Sequence, residues 1–407
     1  MKRLKILVNP HMNLYYNEHK KVWFHQNNTK IIKVGGLNLR LNDENPSDTD
    51  HFLSFETNLL GSKAGPFIGI MMSRTKDGRL MGNRPIIENL GEQLLKWRAI
   101  PFAFSPDDLF EDKVTGLLLH PKTRKWIPAE LPLPDAVYNR IPNRKYENTE
   151  HFFQAIKYFK KHDIPFFNPH FLDKYDCYQY LKENRQLQKY LPKTMFIQEK
   201  ESLYSFLKEH RSIYIKPSFS SRGKGIHVVR INDDGSIVTK SPERMKFFIS
   251  YDHYWNTNRN KFSEKSYIAQ KAITPKKING KRYDFRVLAH YLSDKYEITG
   301  IGVRQSRKQN VTTHIPRGGK LLSFDPLNTP NRIKHIQKIL HGIEEQFKER
   351  NEFFGEISID IGESIDGKLY IFEINSKPMT FDEPHIEKKR ITSLAKILMQ
   401  ISGFKMD

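Results

Sequence analysis

The sequence is poor in the residues and spacings on which several common kinds of site depend. Its 407 residues include one cysteine, Cys177, which excludes an internal disulfide and a cysteine-cluster zinc site and favours a reducing compartment. The sixteen histidines have no HExxH or HxH spacing, and no GxSxG motif provides a serine nucleophile. We therefore expect neither a zinc-protease nor a serine-hydrolase site, and we expect Cys177 to pack as a small buried side chain.

Long apolar runs are also missing. No stretch approaches the ~18 apolar residues that a membrane helix needs. The opening segment MKRLKILVNPHM has basic residues, but its apolar run is too short for a signal-peptide core and ends before Pro10. We therefore expect a protein that is made and kept in the cytoplasm and that has no membrane span.

The charge is strongly positive, with 67 Lys and Arg against 46 Asp and Glu, a formal net charge of +21 and a pI near 9.6. Such an excess favours anionic partners such as phosphates, acidic polymers or nucleic acid, and it does not choose among them. A chain of this length is too long for one compact core and indicates two or three domains.

Strand and helix patterns alternate over the first 170 residues, which predicts a small open α/β sheet. Two helices are expected, over 86–98 and over 149–162 with Thr149 as the N-cap. Segments 42–50 and 120–135 are polar or proline-rich and are predicted to be loops. The strand-like segments are LKILV (4–8), GPFIGIMMS (65–73), AIPFAFS (99–105), DAVYNRIP (135–142) and IPFFN (164–168).

From Asp173 the pattern changes and predicts a second, α+β region. Helices over 173–191 and around 201–210 precede strands with mostly hairpin connections, and two more helices are expected around 332–347 and from about Pro384 to Ile401. The strand-like segments are SIYIKPSF (212–219), KGIHVVRI (224–231), KSYIAQKAI (265–273), YDFRVLAHYL (283–292), EITGIGVRQS (297–306), EISIDIG (356–362) and KLYIFEIN (368–375).

The segment SIDIGESIDGKLYIFEIN, from Ser358 to Asn375, places oxygen-bearing side chains in two otherwise apolar strands. If Asp366 and Gly367 form a two-residue hairpin turn, paired residues have numbers that sum to 733, so Asp360 faces Glu373 and Asn375 lies on the same sheet face. Opposed carboxylates weaken strand pairing unless a cation compensates, and oxygen ligands of this kind suit Mg²⁺ or Mn²⁺. The alternative is a solvated acidic face that is paired with lysines.

A glycine and serine loop joins two strands in IYIKPSFSSRGKGIHVV (213–229). Gly223 and Gly225 permit a turn whose backbone amides approach a phosphate closely, and Lys216 adds a positive charge at the base of the loop. The spacing does not fit the Walker loop or the Rossmann fingerprint. The alternative is a basic hairpin turn.

Arg286 and Arg304 lie in strands that point toward the same region of the sheet. Arginine binds carboxylate or phosphate through two parallel hydrogen bonds and stays charged when it is desolvated. The alternative for each is a surface arginine whose stem packs against the protein.

The order of these features resembles the ATP-grasp superfamily: Lys174 at a helix start, Lys216 with its glycine loop, YIAQKAI, DFRV, and then the Asp, Glu and Asn residues. More closely, roughly residues 1 to 405 resemble the YheC/YheD family, which is associated with bacterial endospore coats. The resemblance implies an α/β (α+β) ATP-grasp fold in three parts. These are a pre-ATP-grasp α/β domain (1–170), an N-terminal grasp subdomain (171–270, with a glycine-rich lid at about 213–230) and a C-terminal grasp subdomain with the metal site (271–407).

The resemblance also implies which residues bind ATP and Mg²⁺. Lys174 and Lys216 would contact the phosphates, and the loop with Ser221, Gly223, Lys224 and Gly225 would cover them. The segment Gln270, Lys271, Ala272 and Ile273 would present backbone groups to adenine, although many ATP-grasp enzymes have Glu where this chain has Gln270. Asp360, Glu373 and Asn375 would hold one or two Mg²⁺ (or Mn²⁺) ions.

The implied chemistry is that of an ADP-forming carboxylate–amine ligase, in which a substrate carboxylate attacks the γ-phosphate and an amine then displaces phosphate. Arg286 and Arg304 are the candidates for holding the acyl-phosphate and the incoming carboxylate. The expected substrate is anionic or peptidic, during spore formation and with spore-coat proteins as partners. A structural coat protein that keeps the fold is the alternative. Nucleic-acid binding ranks third, because it depends on the net charge alone.

Overall fold

The computed structural model describes residues 10–26, 31–40, 52–219, 225–264, 266–306, 313 and 318–404. The chain divides into two compact units. The first comprises Met1–His170, Phe353–Glu356 and Glu387–Asp407, and the second Phe171–Glu352 and Ile357–Ile386. The predicted domain bounds at 170 and 270 stay predictions.

The first unit contains a six-stranded sheet that the sequence patterns did not predict. Its strands are β1 (His11–Asn17), β2 (Val22–His25), β3 (Ile31–Val34), β4 (Leu37–Arg40), β5 (Phe52–Leu60) and β6 (Lys63–Gly65). They lie in the order β2-β1-β5-β6-β3-β4. In β5 the buried residues Leu53, Phe55 and Thr57 alternate with more exposed ones, as expected for a sheet with one packed face. The predicted strand 4–8 and loop 42–50 lie outside the described residues.

The second sheet of this unit confirms the predicted open α/β arrangement. Its elements, with a separate β8–β9 hairpin, are β7 (Phe67–Met71), β8 (Ser73–Arg74), β9 (Leu80–Met81), α1 (Arg84–Lys96), β10 (Ile100–Phe104), β11 (Lys113–Leu119), β12 (Trp126–Pro132), β13 (Ala136–Asn139), α2 (Glu150–Lys161) and β14 (Phe166–Phe167). The strand order is β12-β11-β10-β7-β13-β14, and β10, β7, β13 and β14 run parallel. Every residue of β7, β10 and β13 is buried, which explains their continuous apolar runs. Thr149 caps α2 by accepting a hydrogen bond from the amide of Phe152, as predicted.

The predicted loop over 120–135 is wrong for its second half, because β12 runs through it. This strand lies at the edge of the sheet and contains Pro128 and Pro132. Proline has no N–H group to donate to a neighbouring strand. An interior strand has to pair on both sides, whereas an edge strand pairs on one side only, so an edge strand accommodates proline. The prolines that indicated a loop therefore mark the border of the sheet.

The second unit begins with an antiparallel sheet in the order β15-β20-β16-β17-β18-β19. Its elements are α3 (Lys174–Glu183), β15 (Thr194–Phe196), α4 (Lys200–His210), β16 (Ser212–Pro217), β17 (His227–Ile231), β18 (Ile237–Lys240), β19 (Met245–Phe248), α5 (Tyr251–Glu264) and β20 (Tyr267–Lys271). Helix α3 ends well before the predicted limit at 191. The sequence also failed to predict β18, β19 and α5. Helix α5 buries only Tyr251, Tyr254 and Phe262, so its apolar pattern is sparse.

A second sheet in this unit has the order β24-β23-β22-β25-β26, with β21 paired to β22. Its elements are β21 (Lys277–Ile278), β22 (Lys281–Leu292), β23 (Lys295–Gln305), β24 (Lys320–Leu322), α6 (Pro330–Glu349), β25 (Glu356–Glu363) and β26 (Leu369–Asn375). The last helix, α7 (Pro384–Ile401), belongs to the first unit from Glu387 on. The limits of α7 match the prediction. Cys177 is buried, as predicted, and burial raises the pKa of its thiol to about 12. None of the helices in the described ranges is both long and apolar enough to cross a membrane.

A buried ion pair joins the C-terminal helix to a strand end within the first unit. The Arg390 guanidinium donates to both carboxylate oxygens of Glu356, from Nε at 2.5 Å and from Nη2 at 2.9 Å, and both side chains are fully buried. The hydroxyl of Tyr138 donates to the same carboxylate at 2.9 Å. The geometry satisfies both oxygens of Glu356, which is the condition under which a buried charge pair is tolerated.

Replacing Arg390 with Met should therefore destabilise the fold by about 3–5 kcal/mol, because Glu356 would keep a buried and uncompensated charge. Urea unfolding of the Arg390→Met variant measures this loss. Lys389→Met removes the same charge from the exposed neighbouring residue and should change the free energy of unfolding by less than about 0.5 kcal/mol. Equal effects of the two substitutions would contradict the assignment.

Candidate functional site

The predicted pairing of the two carboxylates is present in the hairpin of β25 and β26. Asp360 lies directly opposite Glu373, and Ser358 lies opposite Asn375. The numbers of both pairs sum to the predicted value. Two acidic side chains therefore share one face of the sheet.

The predicted two-residue turn, however, is wrong. The amide of Ser364 donates to the carbonyl of Lys368, and the amide of Gly367 donates to the carbonyl of Ser364, both at 2.9 Å. The loop therefore has three residues, Ile365 to Gly367, and it ends at Gly367 with φ of +79°. This is the three-residue hairpin in which a type I turn is followed by a left-handed glycine.

A β-bulge restores the register that the longer loop shifts by one residue. Next to the loop, Ile361 pairs with Ile371, whereas Asp360 pairs with Glu373, so Phe372 is the extra residue. A bulge turns two consecutive side chains to the same face. Ile371 and Ile374 are accordingly buried, while Phe372 and Glu373 both line a cavity on the other face.

Gly362 makes room for the ring of the bulged residue. A Cβ atom on Gly362 would lie 2.2 Å from two ring carbons of Phe372. The Phe372 ring thus lies over the backbone of Gly362, at the edge of the same cavity.

The cavity brings together many of the predicted site residues from both sheets of the second unit. Those that line it are Lys216, Gln270, Lys271, Ile273, Arg304, Asp360 and Glu373. Strands β16 and β20 contribute to one side, and β23, β25 and β26 to the other. The sequence features that are far apart along the chain therefore meet around one space.

Lys216 is a buried cation in this cavity, with 9% of its surface exposed. Its Nζ donates to Oε1 of Gln270 at 2.5 Å, and Nε2 of Gln270 donates to the hydroxyl of Thr194 at 3.1 Å. The ammonium group also lies over the rings of Tyr214 and Phe372, at 5.6 and 5.7 Å. Burial lowers the pKa of Lys216 to about 8, although Glu373 acts in the opposite direction.

Both carboxylates are paired with basic side chains. Nη2 of Arg304 lies 3.0 Å from Oδ1 of Asp360, and its Nε donates to Asp284 at 3.0 Å. Nζ of Lys174 lies 3.4 Å from Oε1 of Glu373. Burial alone would lower the pKa of Arg304, but Asp284 and Asp360 raise it above the ordinary value. The lysine-paired alternative for the acidic face thus describes part of the arrangement.

Helix α3 fixes the position of Lys174. Asp173 is its N-cap and accepts hydrogen bonds from the amides of Tyr175 at 2.7 Å and Asp176 at 3.1 Å. Lys174 is the first helical residue, as predicted, and its Nζ also donates to the carbonyl of Ser218 at 3.4 Å. The cap therefore holds the lysine beside the acidic hairpin.

Other predicted residues lie outside the cavity wall. Arg286 follows Asp284 by two residues on β22, and its Nη2 donates to the carbonyl of Met379 at 3.1 Å. Asn375 lies two residues beyond Glu373 on β26. Gly225 lies two residues before β17 and has φ of +76°. Ser221, Gly223 and Lys224 are outside the described residues.

The segment predicted to bind adenine, 270–273, already uses part of its backbone for hydrogen bonds within the sheet. The amide of Lys271 donates to the carbonyl of Lys193 at 2.8 Å, and the amide of Ala272 to that of Ser212 at 3.0 Å. Any new backbone hydrogen bond from this segment to a base therefore has to come from its carbonyl groups or from Ile273.

Sequence reasoning missed several residues that line the cavity. They are Tyr214, Ile226, Arg282, Asp284, Thr313 and Phe372. Asp284 lies two positions before Arg286 of the DFRV motif, and it pairs with Arg304 across β22 and β23. Its acidic side chain in an otherwise apolar strand was the available signal.

A model of the family described as YheC/D-like ATP-grasp matches residues 163–402, which is more than half of the chain. The chain belongs to this family. It is 27% identical over 303 residues to the endospore coat-associated protein YheD of Bacillus subtilis strain 168, covering 70% of this chain and 65% of YheD. It is 22% identical over 292 residues to YheC of the same organism, covering 69% of this chain and 80% of YheC.

The fold is likewise that of known ATP-grasp proteins. The VanG D-Ala:D-Ser ligase of Enterococcus faecalis superposes with a TM-score of 0.50 at 11% identity, covering 84% of this chain and 99% of the ligase. At this identity the likeness shows the fold alone. The predicted ATP-grasp fold is confirmed, and ATP binding follows from the fold.

The donor atoms beside the ATP-grasp cavity fit a hard divalent cation. Asp360 and Glu373 contribute carboxylate oxygens from opposed positions, and Asn375 lies on the same face. Within the described ranges no three His, Cys, Asp or Glu side chains cluster as a metal site. Mg²⁺ usually takes one or two carboxylates and completes its shell with water and phosphate oxygens, so two carboxylates suffice.

Gly362→Ala should destabilise the protein by about 1–3 kcal/mol, because the new methyl group overlaps the Phe372 ring. Urea unfolding checks this loss. In a Phe372→Ala background the same change should cost less than half as much, since the overlapping ring is gone. The proposed contact is wrong if Gly362→Ala costs the same in both backgrounds.

The depressed pKa of Lys216 predicts a pH-dependent stability difference between the wild type and Lys216→Met. The folded protein releases its Lys216 proton near pH 8, against 10.5 for an ordinary lysine, so the unfolded state binds more protons between these values and stability rises with pH. The difference in free energy of unfolding between the wild type and Lys216→Met should therefore shift in favour of the wild type by roughly 3 kcal/mol over this range. Urea unfolding from pH 7 to 10.5 measures this shift. The exposed neighbour Lys271, changed to Met, is the control. A difference that stays flat for Lys216→Met contradicts the prediction.

Proposed function

We propose that this protein is an ATP- and Mg²⁺-dependent carboxylate ligase that forms an acyl-phosphate and transfers the acyl group to an amine. The observation that carries the proposal is the opposition of Asp360 and Glu373 at a cavity that also contains the buried Lys216. Two carboxylates held face to face favour a divalent cation, and the lysine favours phosphate. The fold supports such a reaction.

In the proposed reaction the protein acts mainly by binding and by electrostatics. Lys216 and Lys174 bind phosphate oxygens, and Asp360, Glu373 and Asn375 hold Mg²⁺. The ion supplies charge neutralisation for the phosphate groups. Arg304 lines the cavity but balances Asp284 and Asp360, which it already contacts. Arg286 is therefore the arginine that we propose for the substrate carboxylate and the acyl-phosphate. Phosphoryl transfer of this type needs positioning more than a side-chain nucleophile.

The biological setting is proposed from the relatives. YheC and YheD of Bacillus subtilis are named endospore coat-associated proteins, and we infer that this chain acts during spore formation, on an anionic or peptidic carboxylate. Coat proteins are the proposed partners. A coat protein that binds ATP without turnover is the second candidate, because the relatives are named for coat association and not for a reaction.

Exchange of the two acidic residues tests the ligase. Purified protein is incubated with ATP, Mg²⁺ and a panel of amino acids and acidic peptides, and ADP release is measured. The Asp360→Asn, Glu373→Gln double variant should lose activity on the order of a hundredfold or more. Without the two carboxylates, Mg²⁺ would not be held where it neutralises the charge of the ATP phosphates. Asp366→Asn removes an exposed carboxylate from the loop of the same hairpin and should leave the rate within about twofold.

The outcomes separate the two candidates. Nucleotide binding without ADP release across the whole panel would favour the structural coat protein. ADP release that is unchanged in the double variant would overturn the assignment of the acidic pair.

A further inference from the structure

The sheet face that carries Asp284 and Arg304 continues along β22 and β23 past the residues that line the cavity. Asp284 and Arg304 form the strand pair at the cavity. The next pair on the same face is Arg286 with Gly302, followed by Leu288 with Gly300. Residues two apart on a strand are about 7 Å apart. The pair of Arg286 and Gly302 therefore lies about that distance from the pair of Asp284 and Arg304, whose arginine contacts Asp360.

Glu383, just before α7, and Ile386, in its first turn, cover this part of the sheet face, and two glycines make room for them. A Cβ atom on Gly302 would lie 2.5 Å from Oε1 of Glu383, and one on Gly300 would lie 2.7 Å from Ile386. Ile386 also packs with Leu288 and Phe381 in a small buried apolar cluster. This apolar cluster thus lies over Gly300, and the Glu383 carboxylate lies over Gly302, which is the next position on that face toward Arg304.

The carboxylate of Glu383 is poorly satisfied where it lies. Its Oε1 is buried and has no hydrogen-bond partner among the described residues. Burial raises its pKa and Asp382 adds to this, while its own amide, Arg286 and His385 act in the opposite direction. A buried acceptor without a partner costs stability, and such a group in a folded protein calls for an explanation.

Arg286 is held in place on the opposite strand. Its guanidinium lies 4.5 Å from the centre of the Phe381 ring, and its Nη2 donates to the carbonyl of Met379. Since Arg286 pairs directly with Gly302, over which Glu383 lies, the arginine and the carboxylate occupy neighbouring positions across two strands. A positive and a negative group therefore lie side by side on this sheet face, one strand pair beyond the cavity residues Asp284 and Arg304.

We propose that Glu383 binds the protonated amine of the acceptor substrate, next to the acyl group that Arg286 holds. The ammonium group passes one proton to the Glu383 carboxylate, and the neutral amine then attacks the acyl carbon as phosphate leaves. This inference rests on the proposed ligase function and names the class of acceptor, a compound with a cationic primary amine. A protein with a net charge of +21 repels an ammonium ion on average, so it needs a local carboxylate to bind one. An ammonium group would also give Glu383 Oε1 the donor that it lacks.

A pair of fluorinated probes tests the subsite without turnover. Fluoroethylammonium carries the cationic amine, and fluoroethanol is its neutral counterpart. With protein, Mg²⁺ and a non-hydrolysable ATP analogue, ¹⁹F relaxation should show tighter binding of the ammonium probe. Glu383→Gln should weaken that binding roughly tenfold or more and leave the alcohol unchanged.

Two further variants keep the test specific. Asp382→Asn removes an exposed neighbouring carboxylate and should change ammonium binding by less than about twofold, because an exposed charge is screened. Gly302→Ala keeps every charge but displaces the Glu383 side chain, and it should weaken ammonium binding as Glu383→Gln does. The inference is overturned if Glu383→Gln and Asp382→Asn act alike, or if the wild type does not prefer the ammonium probe.

A turnover experiment separates this inference from the proposed function. Hydroxylamine is uncharged at neutral pH and traps an acyl-phosphate as a hydroxamate, so it needs no carboxylate to bind it. With a panel of carboxylic acids, hydroxamate formation should persist in Glu383→Gln, while ADP release that depends on amino acids should fall. Absence of hydroxamate from the wild type would contradict the ligase function, whereas equal loss of both activities in Glu383→Gln would contradict an amine-binding role alone.

Discussion

The direct opposition of Asp360 and Glu373 is the constraint on which the rest of the site depends. Like charges at paired strand positions weaken the sheet, so the surrounding residues have to compensate for them. Arg304 contacts Asp360 and Lys174 contacts Glu373. Arg304 comes from β23, which is separated from β25 by one strand of the same sheet, and Lys174 comes from a helix start far away in the sequence. The positions of the basic residues thus follow from the position of the acidic pair.

Two β-bulges put the charged residues in register. In the first hairpin, the loop shifts the pairing by one residue and the bulge at Phe372 shifts it back. In β22 and β23, Leu292 pairs with Lys295 next to the turn, and continuing that register would place Asp284 opposite Val303. An irregularity between Leu288 and Ala289 changes the register, and Asp284 pairs with Arg304 instead. The pairing of Asp360 with Glu373 and the pairing of Asp284 with Arg304 therefore each depend on a bulge.

The sequence predicted the elements better than the contacts between them. Strong apolar periodicity located α1, α2, α6 and α7 and the buried parallel strands, because burial on one or both faces leaves a plain pattern. It failed where burial is sparse, as in α5, and where proline marks an edge strand, as in β12. The opposition of Asp360 and Glu373 was predicted correctly although the predicted turn was wrong. The loop has one residue more than predicted, and the bulge at Phe372 offsets that extra residue.

The glutamine at position 270 explains the electrostatic state of Lys216. A carboxylate there would form an ion pair with the buried ammonium group and favour its charged form, whereas the neutral amide of Gln270 offers only a hydrogen bond. Burial therefore prevails, and the pKa of Lys216 falls to about 8. Since none of the carboxylates in the described part of the chain bonds Lys216 directly, its positive charge is left to attract an anion that enters the cavity. A triphosphate that approaches Lys216 would raise its pKa again, so the lysine favours an anionic ligand most strongly when that ligand is in place.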